Sequence, residues 1–156
     1  MTSITPRTWW FTGLSGAGKT TLSHAWAHHL HPQPLMLLDG DELRRGLCSD
    51  LGFSDADRLE NVRRVAHIAR LANAAGLHAL VALVSPSRDG RTLAKEIVGG
   101  QQFREIYVST PLEVCQQRDT KGLYRRARNQ EPIGLTGVQS PYEAPCCQTW
   151  TSTPMR

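Results

Sequence analysis

One stretch limits what this chain can fold into more than any other. Residues 13–20 read Gly13-Leu14-Ser15-Gly16-Ala17-Gly18-Lys19-Thr20, a match to G-x-x-x-x-G-K-[ST]. The motif works only between a strand and a helix, and both neighbours fit. Thr8 to Thr12 (TWWFT) is an apolar run suited to a buried strand, and Lys19 to Leu30 has Leu22, Trp26 and Leu30 on one helical face. Glycines let backbone N–H groups close around phosphate oxygens with no Cβ in the way. The helix start adds the positive end of its dipole. In this pattern Lys19 reaches the β- and γ-phosphates and Thr20 offers a hydroxyl to Mg²⁺, with Thr21 following in the first helical turn. The ligand class is a nucleoside triphosphate. No N-K-x-D-type base-reading motif follows, which argues against a switch GTPase, and the chain is short for a motor. A phosphotransferase acting on a small acceptor is the natural reading.

The rest of the chain repeats short apolar runs alternating with helical periodicity. Strands are expected at Leu35–Leu38, Leu77–Val84 and Phe103–Val108, and helices at Asp55–Ala75, Arg91–Val98 and Pro111–Arg118. The long helix starts at Ser54 with Asp57 three residues on, resembling a capping box, and Gly76 ends it. Its apolar face is assigned to Leu59, Val62, Ala66, Ala69 and Ala72. Near-continuous apolar strands alternating with helices mean a parallel sheet covered on both faces, an α/β three-layer sandwich of the P-loop nucleoside triphosphate hydrolase type. With 156 residues, residues 1–156 form one expected domain. Residues 119–136 are rich in Arg and Lys with weak periodicity, as in a mobile basic lid. The tail from Cys146 (CCQTWTSTPMR) shows no strand or helix signal.

Lys and Arg together number 18 against 14 Asp and Glu, a net charge of +4. That suits an anionic small ligand and nucleic acid equally. The basic residues are mostly Arg, which favours bidentate anion recognition. The four cysteines, Cys48, Cys115, Cys146 and Cys147, form no C-x-x-C pair, so reduced, ordinary thiols are expected, a Cys146–Cys147 bridge being the alternative. His24, His28, His29 and His31 form a solvated face rather than a metal site. Trp9 and Trp10 belong to core or interface. The N-terminus lacks a secretory pattern and no apolar run would span a bilayer, so a cytoplasmic location is expected.

Asp39-Gly40-Asp41 ends the second strand, where a parallel sheet opens its ligand crevice. Two carboxylates beside a phosphate cradle can orient Mg²⁺ and accept the proton of an attacking hydroxyl. The alternative use is Asp39 capping the following helix, which would leave Asp41 for the chemistry. Asp41 with Arg44, and Arg58 with Asn61, each sit three residues apart on one helix face. Two arginines and an asparagine suit an anionic acceptor.

These stretches together resemble the adenylyl-sulfate kinase (APS kinase) family. The matching segments are WFTGLSGAGKTTL, LLDGDELRRGLCSDLGFSDADRLENVRR, VSPSRDGR, EIYVSTPLEVCQQRDTKGLYRRAR and LTGVQSPYEAP, in the family's order from about Trp10 to Pro145. The resemblance implies transfer of a phosphoryl group from ATP to the ribose 3′-hydroxyl of adenosine 5′-phosphosulfate, giving 3′-phosphoadenosine 5′-phosphosulfate and ADP, with Mg²⁺, in sulfate activation. It makes Asp41 the base, supported by Asp39, with Mg²⁺ at Thr20 and, partly through water, Asp41. It places Arg44, Arg58 and Asn61 on the phosphosulfate, Phe53 on the acceptor nucleotide, Lys121, Gly122 and Leu123 in the lid, and Arg118 near the ATP base. Ser85 matches a serine described in the family as a phosphoserine intermediate; direct transfer needs no such residue, and a strand-end hydroxyl is the other reading. Leu135 stands where members carry a phenylalanine stacked on the acceptor adenine. Members continue past P-Y-E-x-P into a last strand and helix; this tail departs from them, and both elements are expected to be absent. The resemblance further implies a homodimer, a link to ATP sulfurylase, and no nucleic-acid or membrane partner. The alternatives are another small-molecule P-loop kinase and a non-catalytic nucleotide-binding module.

Overall fold

Strands as short and apolar as these are stable only when helices cover both faces. The computed structural model describes residues 4–146 and, as backbone alone, residues 150–152. Five parallel strands, β1 (Thr8–Thr12), β2 (Leu35–Asp39), β3 (His78–Ala82), β4 (Phe103–Val108) and β5 (Trp150–Ser152), lie in the order β2-β3-β1-β4-β5. The helices are α1 (Lys19–Leu30), α2 (Gly40–Arg45), α3 (Asp55–Ala74), α4 (Arg88–Val98), α5 (Leu112–Arg118) and α6 (Leu123–Arg128). With β1 central, Trp10 lies beside Val81 of β3 and Glu105 of β4. The chain reverses direction across the sheet at this strand, and its carboxyl end opens the crevice that α/β folds use for ligands.

Alternation along β1 divides the core in two. Trp10 joins Val62, Val65, Ala66 and Ala69 of α3, and Ala94 and Val98 of α4, on one face. Phe11 and Leu80 join Leu30 of α1, Cys115 of α5, and Tyr124 and Ala127 of α6 on the other. Small residues on α3 bring it close to the sheet and to α4. Leu59, assigned above to this face, is exposed instead, while Val65 and Asn61 fill the buried stripe.

Ser54 caps α3, its hydroxyl accepting from the Asp57 N–H at 3.1 Å. Asp57 does not complete a capping box. Its carboxylate accepts from the Gly52 N–H at 3.1 Å and fixes the preceding loop. α4 begins at Arg88, three residues before the expected start, because Ser87 caps it through the Gly90 N–H.

The tail expectation is corrected in part. Trp150–Ser152 add a three-residue strand parallel to β4, from Ile106 to Val108, so the edge of β4 is paired there. Backbone pairing to an available edge needs no apolar alternation in the partner, which is why the segment carried no signal. Cys147 and its pairing lie outside the described residues. No helix among the described residues is long and apolar enough to cross a membrane.

Candidate active site

The cradle forms because β1 runs directly into the glycine loop. Gly13 follows the last residue of β1, and a Cβ there would come within 2.6 Å of the Val108 carbonyl oxygen. No side chain fits that approach. Gly18 takes a left-handed conformation (φ 104°) that launches α1. The Lys19 ammonium donates to the carbonyls of Gly13 (3.0 Å) and Leu14 (2.7 Å). Burial and then the charge of Lys121 lower its pKa to about 8.

The loop opens onto a cleft of about 980 Å³. Ser15, Gly16, Gly18, Lys19, Thr20 and Thr21 line its donor end. Gly13, Leu14 and Ala17 do not reach it; Ala17 is fully buried. On the floor, the Thr20 hydroxyl donates to Asp39 Oδ2 at 2.6 Å, while Asp39 Oδ1 accepts the Asp41 N–H at 2.9 Å. Asp39 therefore both caps α2 and faces the loop. Burial alone would raise its pKa, but the Thr20 hydrogen bond, the Asp41 and Glu42 N–H groups and the Lys121 charge outweigh it and hold the carboxylate below its usual range. The carboxylate beside Thr20 is thus that of Asp39, whereas Asp41 pairs with Lys121 of the lid. A hydroxyl and a carboxylate are the hard oxygen donors that Mg²⁺ takes.

The other end is built around Phe53, 55% exposed. The Arg44 guanidinium lies over its ring at 4.4 Å, and Arg58 at 5.6 Å. Arg44 is anchored on the carbonyls of Leu51 (3.0 Å) and Gly52 (2.7 Å). Arg58 donates to Phe53 O at 3.0 Å and to Gly134 O across the cleft. Burial lowers the pKa of both guanidiniums. Asn61 is buried behind them, and its Oδ1 has no partner among the described residues.

The basic segment is no bare flap. α6 packs Tyr124 and Ala127 into the core, and Leu135 is buried with them at the cleft wall. Its apolar residues are too few among arginines to show as a pattern. Asp119 supports α6 by accepting from the N–H groups of Tyr124 and Arg125, both at 2.9 Å. Lys121 and Leu123 line the cleft, Gly122 caps α6, and exposed Arg118 reaches Gly16 O at 3.4 Å.

Ser85 lies at the end of the third strand segment with φ 43° and is 2% exposed. Its Oγ accepts from Trp10 Nε1 at 2.8 Å and donates to Leu83 O at 2.9 Å. Both hydrogen-bonding directions of the hydroxyl are engaged within the core.

A model of the adenylylsulphate kinase family matches residues 5–149. The chain belongs to that family. The Mycobacterium tuberculosis APS kinase CysC, solved with AMPPNP and APS, is 42% identical with a TM-score of 0.92, the match covering 97% of this chain and 90% of that one. A hexameric APS kinase from Thiobacillus denitrificans is 39% identical with a TM-score of 0.61, over 72% of this chain and 24% of the other. A Sinorhizobium meliloti gluconokinase, 19% identical with a TM-score of 0.64, shares the fold alone. As a member of this family the chain is an ATP-dependent kinase of sulfate activation.

The structure also shows contacts of residues that sequence reasoning passed over. Arg91 is 3% exposed and forms an ion pair with Glu105 at 2.7 Å. It donates to Ser85 O at 2.7 Å and to Glu143 O at 2.5 Å. Tyr142 stacks on Tyr107 at 5.8 Å, and its hydroxyl lies 2.9 Å from that of Thr12. The RDGR and PYEAP segments, quoted above as bare motifs, are two halves of one clasp. Only the three-dimensional pairing reveals it, since they lie about 50 residues apart.

Proposed function

We propose that the chain transfers the γ-phosphoryl group of ATP to the ribose 3′-hydroxyl of adenosine 5′-phosphosulfate. The observation that carries this reading is the pairing of a phosphate cradle with an exposed aromatic ring flanked by two guanidiniums in the same cleft. Phe53 offers a face for a base, and Arg44 and Arg58 offer positive charge to a phosphosulfate. Leu135 supplies an apolar wall without ring stacking.

In this reading Asp41 accepts the proton of the 3′-hydroxyl as its oxygen attacks the γ-phosphorus. The bond from phosphorus to the bridging oxygen breaks, and ADP leaves. Lys19 and the loop N–H groups stabilise charge on the β- and γ-oxygens, so transfer is direct and rests on positioning and electrostatics. Thr20 and Asp39 would hold Mg²⁺, which supplies charge neutralisation on the phosphates when bound. Asp41 is paired with Lys121, so binding of the acceptor beside Asp41 redistributes that lysine. Ser85, with its hydroxyl engaged twice in the core, serves as a strand-end support. The proposed setting is a cytoplasmic homodimer receiving its acceptor from an ATP sulfurylase.

The test is a coupled ADP-release assay with adenosine 5′-phosphosulfate against a panel of sugars, nucleosides and gluconate. Turnover confined to the phosphosulfate, with a 3′-phosphorylated product by mass and NMR, supports the reading. Faster turnover with any other acceptor overturns it.

A further inference from the structure

The phosphate loop binds through N–H groups, yet those are flexible unless something fixes each peptide plane. In a trans peptide the C=O of one residue and the N–H of the next point in opposite directions. Holding the carbonyl therefore aims the amide. Among the described residues, the N–H groups of Gly16 and Gly18 make no hydrogen bond, whereas that of Ala17 donates to Leu14 O at 3.2 Å. The carbonyls that precede the two free amides are both held by side chains. The Tyr124 hydroxyl donates to Ser15 O at 2.7 Å, and Thr110 Oγ1 donates to Ala17 O at 2.8 Å. Tyr124 is 2% and Thr110 5% exposed, and neither lines the cleft. They brace the loop from behind.

We propose that Tyr124 and Thr110 are positioning residues for the nucleotide, orienting the Gly16 and Gly18 amides toward its phosphates. Tyr124 sits on α6 within the lid, so the brace also joins the lid to the donor cradle. Thr110 enters from the turn between β4 and α5 and is independent of the lid. The inference rests on the family's ATP-dependent chemistry, and its test involves no acceptor.

Titration calorimetry with MgADP is run on Tyr124→Phe, Thr110→Val and Thr110→Ser, well below each melting transition. The first two variants keep size and lose the hydroxyl; the third keeps the hydroxyl. Loss of one neutral hydrogen bond corresponds to about fivefold in an equilibrium constant. Tyr124→Phe and Thr110→Val are each expected to weaken MgADP about fivefold. Thr110→Ser is expected to stay within about twofold. A packing role alone would lower the melting temperature and leave the affinity of the folded protein intact. MgADP affinity unchanged in Tyr124→Phe and Thr110→Val, or Thr110→Ser as weak as Thr110→Val, overturns the proposal. Lost MgADP affinity in a chain that fails to phosphorylate adenosine 5′-phosphosulfate upholds the brace and removes only the acceptor assignment.

Discussion

In the proposed reading Lys19 meets two demands that oppose each other. It must be charged to hold phosphates, yet burial and Lys121 disfavour the charge and bring its pKa to about 8. A bound polyphosphate stabilises the ammonium and raises its pKa, so above pH 8 binding must take up a proton that the free protein has lost. MgADP affinity is expected to be flat below pH 8 and to weaken above it, and Lys19→Arg to remove the step; titrations at several pH values and in two buffers of different ionisation heat check both. Lys19→Ala is expected to lose at least about 10²-fold in turnover, the scale of one charge-stabilising donor, with the circular dichroism spectrum unchanged. Asp41→Asn is expected to lose turnover by a similar factor or more, while Ser85→Ala keeps most of it. A phosphoserine at Ser85 that forms and decays at the turnover rate would replace direct transfer with a two-step path.

At the scale of elements, the proposed acceptor site depends on how α3 begins. Ser54 caps the helix, and Asp57 in its first turn pins Gly52, the residue before Phe53. Ser54→Ala is expected to cost about 1 kcal/mol, and to raise the acceptor KM more than the ATP KM, because the loop bearing Phe53 loosens with the cap. Urea unfolding and the two KM values measure the two effects, and equal changes in both KM values would show that the cap serves stability alone. This cap, β1 to β4 and α1, α3 and α5 were legible in the sequence because their signals are local: a spacing of hydroxyl and acid, an apolar run, a helical stripe. α6 and β5 were not. α6 hides Tyr124 and Ala127 among arginines, and β5 is specified by a partner edge. The site divides in the same way. Lys19, Thr20, Asp39 and Asp41 lie in contiguous motifs, and the cleft does gather them with Arg44, Phe53 and Arg58. The pairing of Thr20 with Asp39 and the supports at Arg91, Tyr142, Thr110 and Tyr124 join residues far apart in the chain, and composition or periodicity does not encode such partners.

Across the whole molecule, one cleft is the meeting point of every layer. Residues from the β1 loop, α2, the α3 entry, the end of β3 and the lid all line it, and several of its inward groups carry like charge: Lys19, Lys121, Arg44, Arg58. These charges repel and are held by backbone carbonyls and by Asp41. Anionic ligands relieve the repulsion and bridge elements from both ends of the cleft. Ligands bind the folded form alone, so at about 100 times its dissociation constant a ligand adds ~2.7 kcal/mol. For a domain of this size that corresponds to a rise of about 5–10 °C in melting temperature. In the proposed reading MgADP and adenosine 5′-phosphosulfate contact opposite ends of the cleft beneath the lid, so together they are expected to raise the melting temperature by more than the sum of their separate shifts. Melts with each ligand, with both and with neither measure this coupling. It should shrink in Lys121→Ala, which removes the contact between the lid and Asp41. Strictly additive shifts in the unmodified protein would mean that the two ends of the cleft bind independently and that the lid does not connect them.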